Sequence, residues 1–331
     1  MKSLISKLVW LLLLTLASLL LAGGVATAKN PGNVVYVIGD SLSDTGNLYN
    51  LVEWPPSPPY AQRYSNGPTW PEYLADTWKV PVQSLAYGGA LSGSFLIYGI
   101  PTSNLNNVQY PGLFPPLPGA SEQVEGLLDQ FPNGLNPDAL YVIWIGGNDV
   151  FLGLASPDGL AQTLVQTAQN IVGTVCKLSS FGARHFLVGN IPDMGLAPFA
   201  KTLGPGSAAL SDAIAQFNTG LSQALATLAP VCGEDITLFD TYNLLHKVTG
   251  EPQQYGLANV TEPCLSPGGV CSNPDQYLYW DEAHPTTAVH AIVAESARNT
   301  FCGTGKKHPG LRQKPNVKPP SAWRGVCYGS K

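Results

Sequence analysis

No two cysteines in this chain stand as C-x-x-C, and only five histidines are scattered along its 331 residues. A zinc site therefore has no ligand spacing to build on, and no metal is expected. No G-K-[ST] occurs, and the glycines at 88, 89 and 93 do not form G-x-G-x-x-G, so nucleotide binding lacks a motif. The G-x-S-x-G elbow of ordinary α/β-hydrolases is missing too. Acids stop at Glu295: all 22 lie between Asp40 and that residue, opposed by seven basic residues between positions 30 and 302. Such an acidic body is a poor partner for nucleic acid. Internal repeats are absent.

What is present begins with Lys2 and Lys7, an apolar run from Leu8 to Leu21, and Ala26-Thr27-Ala28. This is the pattern of a secretory signal peptide over residues 1–28, the alternative being a retained anchor helix. Six cysteines follow at positions 176, 232, 264, 271, 302 and 327. An even number in an exported chain reads as disulfides, and the short Pro-Gly loop between Cys264 and Cys271 suggests one pair. The protein is expected to be periplasmic or extracellular. Residues 303–331 carry seven basic residues, no acid, and much proline and glycine. They are expected to form a loosely packed extension, its end tied by Cys327, that solubilises the body or transiently touches a membrane or anionic surface.

Short apolar runs recur at 33–38, 82–86, 139–145, 185–190 and 235–239. Those near 34, 141 and 186 lack strict alternation, as strands buried on both faces do. Between them lie segments of helical spacing, clearest at 156–179 and 206–228. Strands alternating with helices predict one α/β domain, residues 29–302, with a parallel sheet of about five strands between helical layers. Residues 91–119 and 250–280, rich in Gly, Pro, Ser and Asn, read as long functional loops.

Ligand sites in such sheets lie beyond the carboxyl ends of the strands. Four polar blocks fall there or gather at the same edge: Gly39-Asp40-Ser41, Gly88-Gly89-Ala90, Gly146-Gly147-Asn148-Asp149 and Asp281-Glu282-Ala283-His284. An Asp three residues before a His can turn back to accept its Nδ1–H, freeing Nε2 to take a proton. If His284 reaches Ser41, the serine is activated despite its acidic neighbours Asp40 and Asp44, which then hold the turn or cap a helix. Glycines after the second strand let a backbone N–H approach an oxyanion, and Asn148 offers an amide.

These four blocks, in order and spanning nearly the whole mature chain, resemble the SGNH or GDSL esterase and lipase superfamily. GDSLSDTGN and WDEAHPT resemble its secreted phospholipase, lecithinase and haemolysin branch. The resemblance implies a flavodoxin-like three-layer α/β/α sandwich, no cofactor, and an acyl-enzyme mechanism. It implies Ser41 as nucleophile, His284 as base and Asp281 as its orienter. The oxyanion hole would combine the Ser41 N–H, Asn148 and Gly89. Ser84 stands where many relatives have Asn, so Gly88 is carried beside Gly89.

The substrate is expected to be a small-molecule or lipid ester. Phe95, Leu96, Tyr98, Leu113 and Phe114 are candidates for an apolar acyl wall, or for core cover. A carbohydrate O-acetyl esterase using Trp54, Trp70 and Trp280 as sugar platforms is the alternative. An inactive surface-binding module on the same fold is a third reading. Asn259-Val260-Thr261 matches a glycosylation acceptor. His185, His246, His290 and His308 lack catalytic company, and oligomeric state is not set by the sequence.

Overall fold

A computed structural model describes residues 33–97, 100–156, 159–232, 235–303 and 319–328. The expected signal segment, Tyr98 and His308 lie outside the described residues. Five strands form one parallel sheet: β1 (Val35–Gly39), β2 (Val82–Ser84), β3 (Leu140–Trp144), β4 (His185–Gly189) and β5 (Asp235–Phe239). Their spatial order is β2-β1-β3-β4-β5, the doubly wound flavodoxin-like order. In register, Val35 to Gly39 pair with Leu140 to Trp144. The order reverses between β1 and β3, and there a doubly wound sheet leaves its crevice. Ser41 and Asn148 follow those two strands.

Successive residues of β1 feed opposite layers, because side chains alternate across a strand. Tyr36 and Ile38 pack with helices α3 (Ala120–Gln130), α5 (Gly159–Ser180) and α6 (Gly206–Cys232). Val35 and Val37 pack with α2 (Trp70–Trp78) and α8 (Thr287–Cys302). Three further helices, α1 (Asn47–Val52), α4 (Gly147–Ala155) and α7 (Thr241–Gly250), each start near the carboxyl edge of the sheet. The three-layer sandwich follows from inner strands such as β1 and β3, which are buried at every position.

Three expectations need correction. The strand expected over 82–86 is only Val82–Ser84, half-buried at the sheet edge. Residues 91–119 are not a bare loop: Ala90–Ile97 and Ile100–Asn104 form an antiparallel hairpin, followed by a short helix at Leu105–Gln109. Within 250–280, Asn259–Pro263 pairs in parallel with Tyr277–Tyr279, and a small hairpin carries the Cys264–Cys271 disulfide. Hydrogen-bonded ladders thus satisfy backbone groups that an irregular stretch leaves open.

The end of the basic extension is also tighter than expected. Trp323 is fully buried against Trp78 and Phe301, and its Nε1–H donates to the Asp138 carbonyl. Cys327 is bonded to Cys302. Burying one indole outweighs the solubility of its charged neighbours. Cys176 is disulfide-bonded as well.

Candidate functional site

The turn after β1 is held from below. Gln123, buried on α3, clamps Gly39 with both ends of its amide: the Gly39 N–H donates to Oε1 at 2.9 Å, and Nε2 donates to the Gly39 carbonyl at 2.8 Å. Asp40 then folds the chain, its Oδ1 accepting from the Leu42 N–H and its carbonyl from the N–H groups of Ser43 and Asp44. Asp44 accepts from the N–H groups of Gly46, Asn47 and Leu48 at the start of α1, and from Gly88 at 2.9 Å. One buried carboxylate therefore ties the Ser41 turn to the glycine block after β2. Asn47 completes the tie by donating to the carbonyls of Ser84 and Ala86.

That arrangement separates the two glycines. The Gly88 N–H is spent on Asp44, and a Cβ there would meet the Tyr64 ring at 2.2 Å. Gly89 has φ +78, a left-handed conformation that favours glycine, and it lines the cavity above Ser41. Among the described residues no acceptor holds the N–H of Gly89 or of Ser41. Asn148, in the first turn of α4, uses one amide hydrogen on the Ala90 carbonyl at 2.9 Å, leaving the second for the cavity. Its neighbour Asp149 is buried and accepts from the Ser92 N–H and hydroxyl and from Thr167, pinning α4 to the hairpin.

His284 arrives on a closed loop. The Trp280 N–H donates to the His284 carbonyl at 2.7 Å, and Thr286, just before α8, donates to the Leu278 carbonyl. Asp281 Oδ1 accepts from the N–H groups of Ala283 and His284, while Oδ2 lies 2.8 Å from His284 Nδ1. His284 Nε2 is 2.8 Å from Ser41 Oγ. With Nδ1–H committed to the carboxylate, Nε2 is the acceptor for the hydroxyl proton.

Burial by itself holds the His284 pKa down, but the charge and hydrogen bond of Asp281, with the charge of Asp40 behind them, raise it above the ordinary imidazole value. Burial pushes Asp281 up, and the opposing charge and hydrogen bonds of His284 bring it below the usual carboxylate range. Asp40, buried with fewer donors, is pushed up to about 7. Two aromatic residues flank the His284–Asp281 pair: Tyr64 lies against the imidazole at 4.8 Å between centroids, and the Tyr60 hydroxyl donates to Asp281 Oδ2 at 2.8 Å.

The site opens into a cavity of about 480 Å³, inside the range of small-molecule pockets. Its lining includes Trp54, Leu105 and Tyr110, together with Leu244, Val248 and Ile292 from α7 and α8. The expected acyl wall is only partly there. Phe95 packs with Leu91, Leu105 and Leu152 beneath the hairpin, and it does not line the cavity. Leu96 lies in the hairpin strand, with its side chain outside the described set. Leu113 is 64% exposed, and Phe114 touches Trp54 and Tyr110 at the rim. Trp280 and Trp70 are buried rather than offered as platforms, and only Trp54 of the three tryptophans reaches the cavity.

The other histidines sit apart from this chemistry. His185 pairs with Asp235, His246 with Asp193, and His290 is buried with Nδ1 accepting from the Trp70 N–H. Gln123, Tyr60, Tyr64 and the α7–α8 wall had no sequence signal, since each acquires its role only through contacts from distant segments.

A hydroxyl, an imidazole and a carboxylate in series at the switch point of a parallel sheet define a serine hydrolase outside the G-x-S-x-G design. The sequence matches the GDSL-like Lipase/Acylhydrolase family over residues 35–297, and the chain belongs to that family of serine ester hydrolases with a Ser-His-Asp triad. It is 28% identical over 286 residues to the thermolabile hemolysin of Vibrio parahaemolyticus serotype O3:K6, covering 80% of this chain and 62% of the relative. It is 26% identical over 315 residues to the phosphatidylcholine-sterol acyltransferase of Aeromonas hydrophila, covering 80% and 88%. Among solved structures, the acetylxylan esterase Axe2 of Geobacillus stearothermophilus aligns at TM-score 0.44 and 13% identity, over 80% of this chain and 91% of that one.

Proposed function

We propose that Ser41 is the nucleophile, His284 the base and Asp281 its orienter, in an exported esterase acting on esters with apolar acyl chains. The observation that carries this is the 2.8 Å approach of His284 Nε2 to Ser41 Oγ with Nδ1 held by Asp281. His284 takes the hydroxyl proton as Oγ attacks the ester carbonyl, then passes it to the departing alcohol. Water, activated by the same base, releases the acid. The N–H groups of Ser41 and Gly89 and the Asn148 amide converge to receive the oxyanion, Gly88 being already engaged. Asn148→Ala is expected to lower kcat by about 10²- to 10³-fold, with KM little changed; unaltered kcat removes the amide from the hole.

Apolar acyl chains are favoured because the cavity wall is mostly aliphatic and aromatic, including Leu244, Val248 and Ile292. Sugar platforms are disfavoured by the burial of Trp70 and Trp280. Disulfides at Cys264–Cys271 and Cys302–Cys327 support an oxidising compartment. The test is a series of chromogenic esters from acetyl to long acyl, run with and without prior fluorophosphonate. Hydrolysis is expected to rise with chain length and to vanish after labelling. A sharp acetyl preference overturns the acyl assignment, and full activity after stoichiometric labelling of Ser41 overturns the nucleophile.

A further inference from the structure

We propose that Tyr60 is a positioning residue for the base: its phenol, by donating to the Asp281 carboxylate, fixes that carboxylate beside His284 and takes up part of its charge. The inference rests on the Ser41–His284–Asp281 reading and adds a fourth member from a segment that none of the four motif blocks contains. Asp281 has three donors from its own loop, the N–H groups of Ala283 and His284 and the imidazole Nδ1–H. Tyr60 is its one donor from elsewhere among the described residues, 221 positions away in sequence. It acts on Oδ2, which faces Nδ1 at 2.8 Å while Oδ1, already shared with two backbone N–H groups, faces it at 2.9 Å, so its pull competes with that of the imidazole for the same carboxylate.

The phenol is built into place. Its ring packs edge-on against Trp280 at 6.2 Å and against Tyr64 at 6.2 Å. The Tyr60 carbonyl accepts from the Ser57 hydroxyl at 2.6 Å, and its N–H reaches the Pro56 carbonyl. Burial, then the Asp281 charge, push its pKa above the ordinary phenol value, so it remains a donor throughout the working range. Tyr64 extends the same contact surface: it lies on the imidazole and fills the space over Gly88. The segment carrying both tyrosines therefore reaches the base on one side and the oxyanion turn on the other.

A hydrogen bond shared with a carboxylate weakens the hold of that carboxylate on a neighbouring cation. Removing the phenol oxygen should leave Asp281 attracting the imidazolium more strongly, so that His284 stays protonated to higher pH. The titratable groups facing His284 are Asp281, Asp40 and Tyr64, with His290 within electrostatic reach. Only the environment of Asp281 changes directly in Tyr60→Phe, which keeps the ring and its packing.

The experiment follows the rate of fluorophosphonate inactivation against pH, in which the Ser41 Oγ–P bond forms and fluoride leaves, with His284 required neutral. For Tyr60→Phe the acid limb is expected to move up by about half a unit or more. In ester hydrolysis kcat should fall roughly tenfold, with KM within about twofold of the parent. A purely structural tyrosine would lower activity without moving the limb. An unshifted limb with Ser41 still labelled overturns the role of Tyr60 and leaves the triad standing. Failure of both proteins to label at Ser41 overturns the triad and Tyr60 with it.

Discussion

Ser41→Ala is expected to lower kcat on a chromogenic ester by about 10⁴-fold or more and to abolish fluorophosphonate labelling, while the protein unfolds within about 1 kcal/mol of the parent. The two halves of this expectation come from the same geometry. Ser41 Oγ makes its hydrogen bond to His284 Nε2 and to no other side chain among the described residues. The turn itself is held by Gln123, Asp40 and Asp44, through backbone atoms that alanine retains. The imidazole nitrogen left behind faces the cavity, where water can replace the hydroxyl. On the proposed reading the hole is retained: the N–H groups of residues 41 and 89 and the Asn148 amide should still polarise a carbonyl and keep the residual rate above that of water. Activity near the parent level would place the nucleophile elsewhere, and labelling followed by peptide mapping would locate it. A collapse in Tm alongside the lost activity would instead show that the hydroxyl has a structural task absent from these contacts.

The architecture was legible where composition and geometry coincide. Val34 to Ile38 has no polar residue to spare for solvent, so a strand covered on both faces was the only economical reading, and β1 lies inside the sheet, between β2 and β3, with both layers packed on it. The three-residue spacing of Asp281 and His284 permitted one local closure, and the loop adopts it. Illegible were residues whose meaning depends on what the fold brings beside them. Gln123 is an ordinary polar position on an amphipathic helix until Gly39 arrives, 84 residues away. Phe95 and Trp280 are aromatic residues near motif blocks, which is why they read as substrate contacts. Yet the hairpin turns Phe95 toward Leu91 and Leu152, and the loop buries Trp280 beneath Tyr60. The irregular composition of 91–119 hid a hairpin because its ladder slips register between Ala90 and Phe95, which breaks the two-residue alternation that marks a strand. In the tail, charge concealed one tryptophan, and that tryptophan decides the packing.

Asp281→Asn carries the second large effect, an expected loss in kcat of about 10⁴-fold with the carboxamide still in place. The direction of the amide is dictated by neighbours that cannot change. Oδ1 accepts from two backbone N–H groups, those of Ala283 and His284, so the oxygen of the new amide must stay there. Its NH₂ then occupies the Oδ2 position, 2.8 Å from His284 Nδ1 and 2.8 Å from the Tyr60 hydroxyl. The tyrosine adapts by accepting, since a hydroxyl serves in either sense. Nδ1 also lies 2.9 Å from Oδ1, but the NH₂ now facing it at 2.8 Å is a donor, and the imidazole meets it by moving its proton: Nδ1 becomes the acceptor, Nε2 carries the hydrogen, and Ser41 faces a donor where it needs a base. The same change removes the charge that raises His284 above the ordinary imidazole value, so the ring that remains is also a weaker base. The measurements are kcat/KM against pH and the imidazole nitrogen resonances, which should report the opposite tautomer in the variant. Hydrolysis within about tenfold of the parent would mean that the carboxylate neither sets the tautomer nor supports the charge. In that case the Asp40 carboxylate, the other acid close to the ring, would be the next residue to replace.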